Sequence, residues 1–226
     1  CVNVPTTLLQ VKAFLEGSYN GSGEMKTNIN HLLPNEQPYN ASPWLFDETT
    51  SINNIPENVA DWVLLEVRHE SNIYITTEQQ AAFLLDNGDI VDKNGITIDG
   101  VHFYNLEENE AYYVIVRHRN HIDVMSSTTI SVDNGILEYD FTNAMSKARG
   151  DAQMLNLDPN IFGLQAGDFD GNGIINYTDF NIFAEDNGWS NVYYHSDGNM
   201  NGIVNFEDFN FYLLNISKIG VTEIRY

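Results

Sequence analysis

The chain has 226 residues, with 10 basic against 32 acidic, a formal charge of -22, a pI near 4.2, and 42% hydrophobic and 12% aromatic residues. At roughly 150 residues per domain this length holds one large domain or a large one with a small one, and so much apolar material argues against disorder. The negative field argues against nucleic acid and against an anionic membrane surface, because neither meets the clustered Lys and Arg it needs.

What remains is a folded acidic chain whose carboxylates either coat a solvated surface or hold cations. The one cysteine, Cys1, permits no intramolecular disulfide and no Cys-based zinc cluster. A start at Cys with no charged or apolar leader behind it reads as a processed product or a piece of a longer protein. Cys1 is then either the lipid-bearing residue of a bacterial lipoprotein or merely the point where a fragment begins. No apolar run approaches the roughly 18 residues of a membrane-spanning helix.

Through residue 142 the sequence is a series of short alternating runs between turn signals. They are Val11 to Glu16, Ala60 to His69, Gln80 to Leu85, Gly95 to Ile98, Ala111 to Arg119, Thr128 to Val132 and Ile136 to Phe141. Asn-Gly pairs at 87/88, 94/95 and 134/135 are hairpin signals, so the pattern predicts an antiparallel β-sandwich over residues 1–165. A short helix is expected over 142–150, and 151–165 reads as an irregular connection.

Residues 166–226 carry an internal repeat at an offset of 29. Asp168-Phe169-Asp170-Gly171-Asn172-Gly173-Ile174-Ile175-Asn176-Tyr177-Thr178-Asp179 aligns with Asp197-Gly198-Asn199-Met200-Asn201-Gly202-Ile203-Val204-Asn205-Phe206-Glu207-Asp208. Each copy has an oxygen-bearing side chain at loop positions 1, 3, 5, 9 and 12, glycine at 6 and an aliphatic residue at 8. Calcium takes six to eight hard oxygen ligands at about 2.3–2.6 Å, and a twelve-residue loop supplies them at 1, 3, 5, 9, 12 and the carbonyl of 7. The first site is therefore assigned to Asp168, Asp170, Asn172, the Ile174 carbonyl, Asn176 through water, and Asp179. The second is Asp197, Asn199, Asn201, the Ile203 carbonyl, Asn205 and Asp208, which makes two Ca2+ in all. Asx-rich turns also occur without metal, but duplicated ligand and glycine spacing favours the metal. With three carboxylates against two, the first site is expected to bind more tightly. Ile175 and Val204 are expected to join the two loops through a short β-bridge inside a shared core.

A helix-forming run follows each loop, Asp179 to Asp186 and Asp208 to Asn215, with Phe180 and Phe183 in one and Phe209, Tyr212 and Leu213 in the other at inward-facing spacing. No room exists for a helix before the first loop, so these are loop-plus-helix units.

A tandem of this kind, about 60 residues long, resembles a type I dockerin module over residues 164–220. The resemblance implies a non-catalytic, calcium-maintained module that attaches secreted bacterial enzymes or surface proteins to a cohesin partner. It places partner recognition at loop positions 10 and 11, here Tyr177-Thr178 and Phe206-Glu207, which depart from the small polar pairs usual in that family. The run Tyr113 to His121 and the Val11 to Gly17 strand are similar to an immunoglobulin-like sandwich that precedes such tails in large bacterial surface proteins. That likeness implies a secreted or cell-surface setting and a structural or adhesive role. The expected partner is a cohesin-like or other surface protein, or the sandwich itself, against which the aromatic tail packs.

Three other features bear on function. His118 and His121, with His102 and Asp123 nearby, read as a hydrogen-bonded strand end in preference to an acid/base site; alternation sets His118 opposite Arg117 and Arg119. Glu107, Glu108 and Glu110 read as a solvated turn. Trp44, Trp62 and Trp189 offer a sugar-binding platform if exposed, though Trp62 fits the sandwich core better and only Trp44 and Trp189 stand in loops; this is the competing expectation, a carbohydrate-binding accessory module of a polysaccharide-degrading enzyme. No nucleophile elbow, phosphate loop or HExxH motif is present, so no catalytic residue is assigned.

Overall fold

A computed structural model describes residues 6–49, 52–93 and 99–226. The run at 95–98 lies outside these residues, as do Cys1 and the 94/95 turn. The described chain is mainly antiparallel β with two short helices. Its strands are β1 (Thr7–Lys12), β2 (Val59–His69), β3 (Glu78–Leu85), β4 (Asp89–Asp92), β5 (Val101–Phe103), β6 (Ala111–Arg117), β7 (Val124–Met125), β8 (Ile130–Ser131), β9 (Ile136–Asp140), β10 (Leu155–Asp158) and β11 (Ile161–Gly163). The helices are α1 (Tyr177–Asp186) and α2 (Phe206–Asn215).

Nine strands form one sheet in the order β5-β1-β4-β3-β2-β6-β7, with β8 also on β6 and β9 on β1. The two ends meet because β8 and β9 are consecutive, joined at Asn134-Gly135, both at positive φ, with Asp133 bridging Ile136. The sheet therefore curls over a core that includes Leu9, Val11, Val63, Leu65, Val67, Val114, Val116 and Leu137. The expectation of a purely antiparallel sandwich needs one correction: β9 runs parallel to β1, from Leu8 beside Ile136 to Lys12 beside Asp140. A long intervening chain removes the hairpin constraint that enforces antiparallel pairing.

Two local expectations also change. Residues 142–150 make only a single 3-10 turn at Met145–Lys147, and the supposedly irregular 151–165 contains the β10–β11 hairpin. Asn160 at the hairpin turn takes a φ of 63°, which asparagine tolerates.

β2 is buried on both faces, although a sheet with one solvated face would alternate. Residues 30–46 cover one part, where Trp62 Nε1 donates to Pro34 O at 3.0 Å and Tyr39 Oη donates to Trp62 O at 2.8 Å. The C-terminal segment covers another, where Val221 and Ile224 pack on Ile115 and Met125. Burial of both faces brings three charged residues of β2 inside, Asp61 on the side of Val63 and Leu65 and Glu66 and Arg68 on the other.

Candidate metal centre

In each repeat the twelve-residue loop ends in a helix whose first turn is built from the loop's own last residues. Asn176 caps α1 by accepting from Thr178 N at 2.8 Å, and Asp179 reaches back to accept from Asn176 N at 2.8 Å. Asn205 and Asp208 do the same for α2 at 2.6 and 2.8 Å. This reciprocal capping box satisfies helix-start N–H groups and holds the position-12 carboxylate in place. Asn176 and Asn205 thus have their side-chain oxygens committed to capping. Gly173 and Gly202 have φ of 83° and 81°, the left-handed turn that position 6 demands.

The first loop gathers Asp168, Asp170 and Asp179 so that one carboxylate oxygen from each lies within 4.8 Å of the others. Asp168 is 1% exposed, and its Oδ2 accepts from Gly173 N at 2.9 Å while its Oδ1 is buried with no hydrogen-bond partner. Burial, then the charges of Asp123, Asp179 and Asp170, pushes the Asp168 carboxyl well above its ordinary range. Asp179 is pushed up to about 6 by burial and by Asp170, against its backbone hydrogen bonds. In the second loop Gly202 N donates to Asp197 Oδ2 at 2.8 Å, and Asn199 Oδ1 is the buried acceptor without a partner. Burial raises Asp197, and burial with the Asp197 charge raises Asp208 to about 6.

These features fit a dication. Buried converging carboxylates are costly, and a bound cation inverts that penalty. The orphaned oxygens sit at loop position 1 in the first copy and position 3 in the second, both assigned ligand positions. The Ile174 carbonyl accepts from Asn176 Nδ2 at 3.1 Å, and Asn172 and Asn201 turn their Oδ1 onto the N–H of Ile174 and Ile203 at 2.8 Å each.

Ile175 and Val204 are fully buried in one small core with Phe169, Phe183, Tyr212 and Ile122. They do not bridge each other. Ile174 bridges Ile219, with Ile175 N donating to Lys218 O at 3.0 Å, whereas Ile203 bridges Ser190, with Val204 N donating to Trp189 O at 2.9 Å. Each loop pairs with the segment that follows the other copy's helix. The two bridges exchange under the 29-residue offset, so the repeat has two-fold pseudosymmetry. The helix contacts obey it too: Phe183 stacks on Phe209 at 5.4 Å, and Phe180 meets Tyr212 at 6.2 Å. Core rings are filled from both sides, which keeps the pair of loops in register.

The tail is fastened to the sheet by buried polar groups, among them the hydrogen-bonded strand-end histidines expected from the sequence, with Asp61 and Tyr193 as partners that the sequence left unassigned. Asp61 accepts from Arg119 Nε at 3.0 Å, His118 Nε2 at 3.2 Å and Tyr193 Oη at 2.6 Å. The guanidinium of Arg119 lies 4.2 Å over the Tyr193 ring and also donates to Tyr194 O. His118 and Arg119 therefore converge on one carboxylate instead of lying on opposite sides, because β6 ends at Arg117 and alternation stops there. Gly17 N donates to His121 Nε2 at 3.1 Å, so Nδ1 carries the proton and donates toward Asn120 Oδ1 at 2.7 Å and His118 Nδ1 at 3.1 Å. Burial, then the charges of neighbouring cations, lowers His121 well below its ordinary value, and burial lowers His118. Both rings are wholly buried, which suits a structural relay and gives no substrate access. His102 is elsewhere, beside Leu8.

A second buried network holds the C-terminus. Glu66 accepts from Arg68 Nε at 2.5 Å and Arg117 Nε at 2.6 Å, and the two guanidinium groups donate onward to Glu223 O at 2.6 Å and Ile224 O at 2.9 Å. Arg117 also meets Asp123 at 2.6 Å. The sequence signal for both networks was the presence of Asp61, Glu66 and Arg68 inside an apolar strand. The acidic turn serves locally: Glu108 accepts from Asn134 N and Gly135 N at 2.7 and 3.0 Å.

The three tryptophans do not form a platform. Trp62 is 0% and Trp44 5% exposed, and only Trp189, at 56%, faces solvent. Tyr177 and Phe206, at loop position 10 of each copy, are among the exposed rings. They end a ladder Tyr177–Phe180–Phe209–Phe206 with centroid spacings of 5.6, 6.0 and 6.1 Å.

No family model and no curated protein sequence matches the chain. Among solved structures it is similar to a chain in an N-terminal-interface mutant of the type II cohesin–X-dockerin complex from Acetivibrio cellulolyticus. The identity is 12% and the TM-score 0.42, over 95% of this chain and 96% of that one. The C-terminal-interface mutant of the same complex gives 12%, 0.45, 95% and 97%. No helix among the described residues is long and apolar enough to cross a membrane.

Proposed function

We propose that this chain is a non-catalytic, calcium-stabilised interaction module of a secreted or surface-exposed bacterial protein. Two dockerin-like loops hold one Ca2+ each, and the curled sheet serves as the platform on which they are mounted. The observation that carries the calcium reading is the buried, unpartnered Asp168 Oδ1 in the Asp168–Asp170–Asp179 cluster. The ion supplies charge neutralisation and cross-links each loop to the first turn of its helix.

Attachment is assigned to the aromatic ladder. Tyr177 and Phe206 are 69% and 72% exposed, related by the pseudo-two-fold, and stand at the positions that the dockerin resemblance gives to partner recognition. Large exposed rings framed by polar residues suit a protein partner of the cohesin type. Calorimetric titration of Ca2+ into the chelator-stripped full chain should give a stoichiometry of two. The loaded chain should then bind a cohesin-type domain from a panel, and Tyr177→Ser with Phe206→Ser should weaken that binding at least about tenfold. A stoichiometry of zero removes the calcium reading; binding indifferent to the two rings removes the docking face.

A further inference from the structure

The two copies differ in charge at one ligand-bearing loop position: Asp170 at position 3 of the first stands against Asn199 in the second, while position 5 is asparagine in both, Asn172 and Asn201. The first loop orients its amide internally, because Asp170 Oδ2 accepts from Asn172 Nδ2 at 2.7 Å. The second loop has no carboxylate at position 3 to do this. Instead Glu207, at position 11, turns back over the loop, and its Oε2 accepts from Asn199 Nδ2 at 3.1 Å and Asn201 Nδ2 at 3.3 Å. The corresponding residue of the first copy is Thr178, which has no carboxylate to offer.

An asparagine can ligate a cation only through its oxygen, so its amide must be turned nitrogen-outward. Glu207 gives that orientation: with Nδ2 held by the carboxylate, Asn199 Oδ1 is left buried and without a partner. Glu207 lines a cleft of about 390 Å³ with Asn199 and Asn201 on one side and Glu16, Lys26 and Asn28 of the sheet domain on the other.

We infer that Glu207 is a positioning residue of the second calcium site, restoring from loop position 11 the negative charge and the amide orientation that Asp170 supplies from position 3 in the first. Each loop then has three carboxylates at hand, and the affinity gap expected from counting ligands alone closes. This rests on the calcium reading above. It also withdraws Glu207 from the pair of residues the dockerin resemblance assigns to partner recognition.

The test is a calcium titration of the full chain followed through the backbone amide signals of Gly173 and Gly202, one in each loop. In the unsubstituted chain both signals should move to saturation with midpoints close together. Glu207→Gln should shift the Gly202 midpoint about tenfold or more to higher calcium and leave the Gly173 midpoint within about twofold. Adding Asn199→Asp to Glu207→Gln should restore the Gly202 midpoint, since it returns the carboxylate to position 3. Unchanged midpoints in Glu207→Gln, or a loss that Asn199→Asp does not restore, overturn the assignment and leave the calcium reading standing. Signals that fail to move in the unsubstituted chain overturn both.

Discussion

Gly17 and Gly198 meet backbone to backbone: a Cβ on Gly17 would stand 1.8 Å from the carbonyl oxygen of Gly198. Gly198 is position 2 of the second loop, and the neighbouring Asp197 carbonyl accepts from Asn120 Nδ2 at 2.8 Å. The segments that follow β1 and β6 thus touch the second loop at its first residues. Gly17→Ala should force the two segments apart and cost about 1–3 kcal/mol, the range for overpacking. Chemical denaturation would measure that loss. The Gly202 amide should also report weaker calcium binding, with Gly173 little affected.

Calcium removal should lower stability in two separable parts. At about 100-fold excess over each dissociation constant, each ion contributes roughly 2.7 kcal/mol. Melting curves with calcium and with EDTA should differ accordingly. Asp168→Asn removes a buried carboxylate central to the first site, so its calorimetric stoichiometry should fall from two to one. A melting curve indifferent to EDTA would contradict the assignment of both loops.

Arg117 joins three partners, Glu66, Asp123 and the Ile224 carbonyl, at 1% exposure. Truncation would leave Glu66 with only Arg68 as its cationic partner. Arg117→Ala is expected to cost about 3–5 kcal/mol, as breaking a buried ion pair does. Asp123→Asn with Arg117→Met should recover part of that loss, because Asp123 is then no longer a buried carboxylate without its cation, while Glu66 keeps Arg68. Urea midpoints of the single and double variants would decide it.

Acid should destabilise the calcium-loaded protein before carboxylates in the ordinary range titrate. His118 and His121 have lowered values in the folded state, so below about 6.5 the unfolded chain takes up protons that the folded chain does not. Stability therefore falls as pH drops from that value toward the folded ones. Asp61 acts later and in the same direction: burial raises it, but Arg119 and His118 hold it at about 2, so its contribution is lost as pH falls from about 3.8 through 2. Asp123, pushed up to about 6 by burial, opposes this by binding a proton in the folded state between 3.8 and 6. His195, lowered to about 4 by burial, joins the other two histidines, and these three outweigh Asp123 and the burial-raised Glu16 near pH 6; under the proposed calcium binding, saturating calcium keeps the loop carboxylates ionised. Urea midpoints that do not fall between pH 7.5 and 5.5 would refute the argument.

The two turn-and-helix units were the most legible part of the sequence, because glycine position, Asx spacing and helix start are all local and occur twice. Strand β2 and the turns at Gly88 and Asn134-Gly135 were legible for the same reason. The parallel β1–β9 pairing was not, since it depends on residues about 128 positions apart that carry no mutual mark. The seat of the tail was also hidden: Asp61 finds Tyr193, and Glu16 finds Asn215 at 2.6 Å, only after folding. Trp44 looked like a surface ring because it stands in a loop. It is buried beside Tyr39, His195 and Gly171 because the tail folds back over it.

The crossed bridges, Ile174 with Ile219 and Ser190 with Ile203, make the 29-residue repeat a half-unit. One copy alone would present its position-8 backbone as an open strand edge, with no partner within its own length. The smallest piece able to close on itself is the pair.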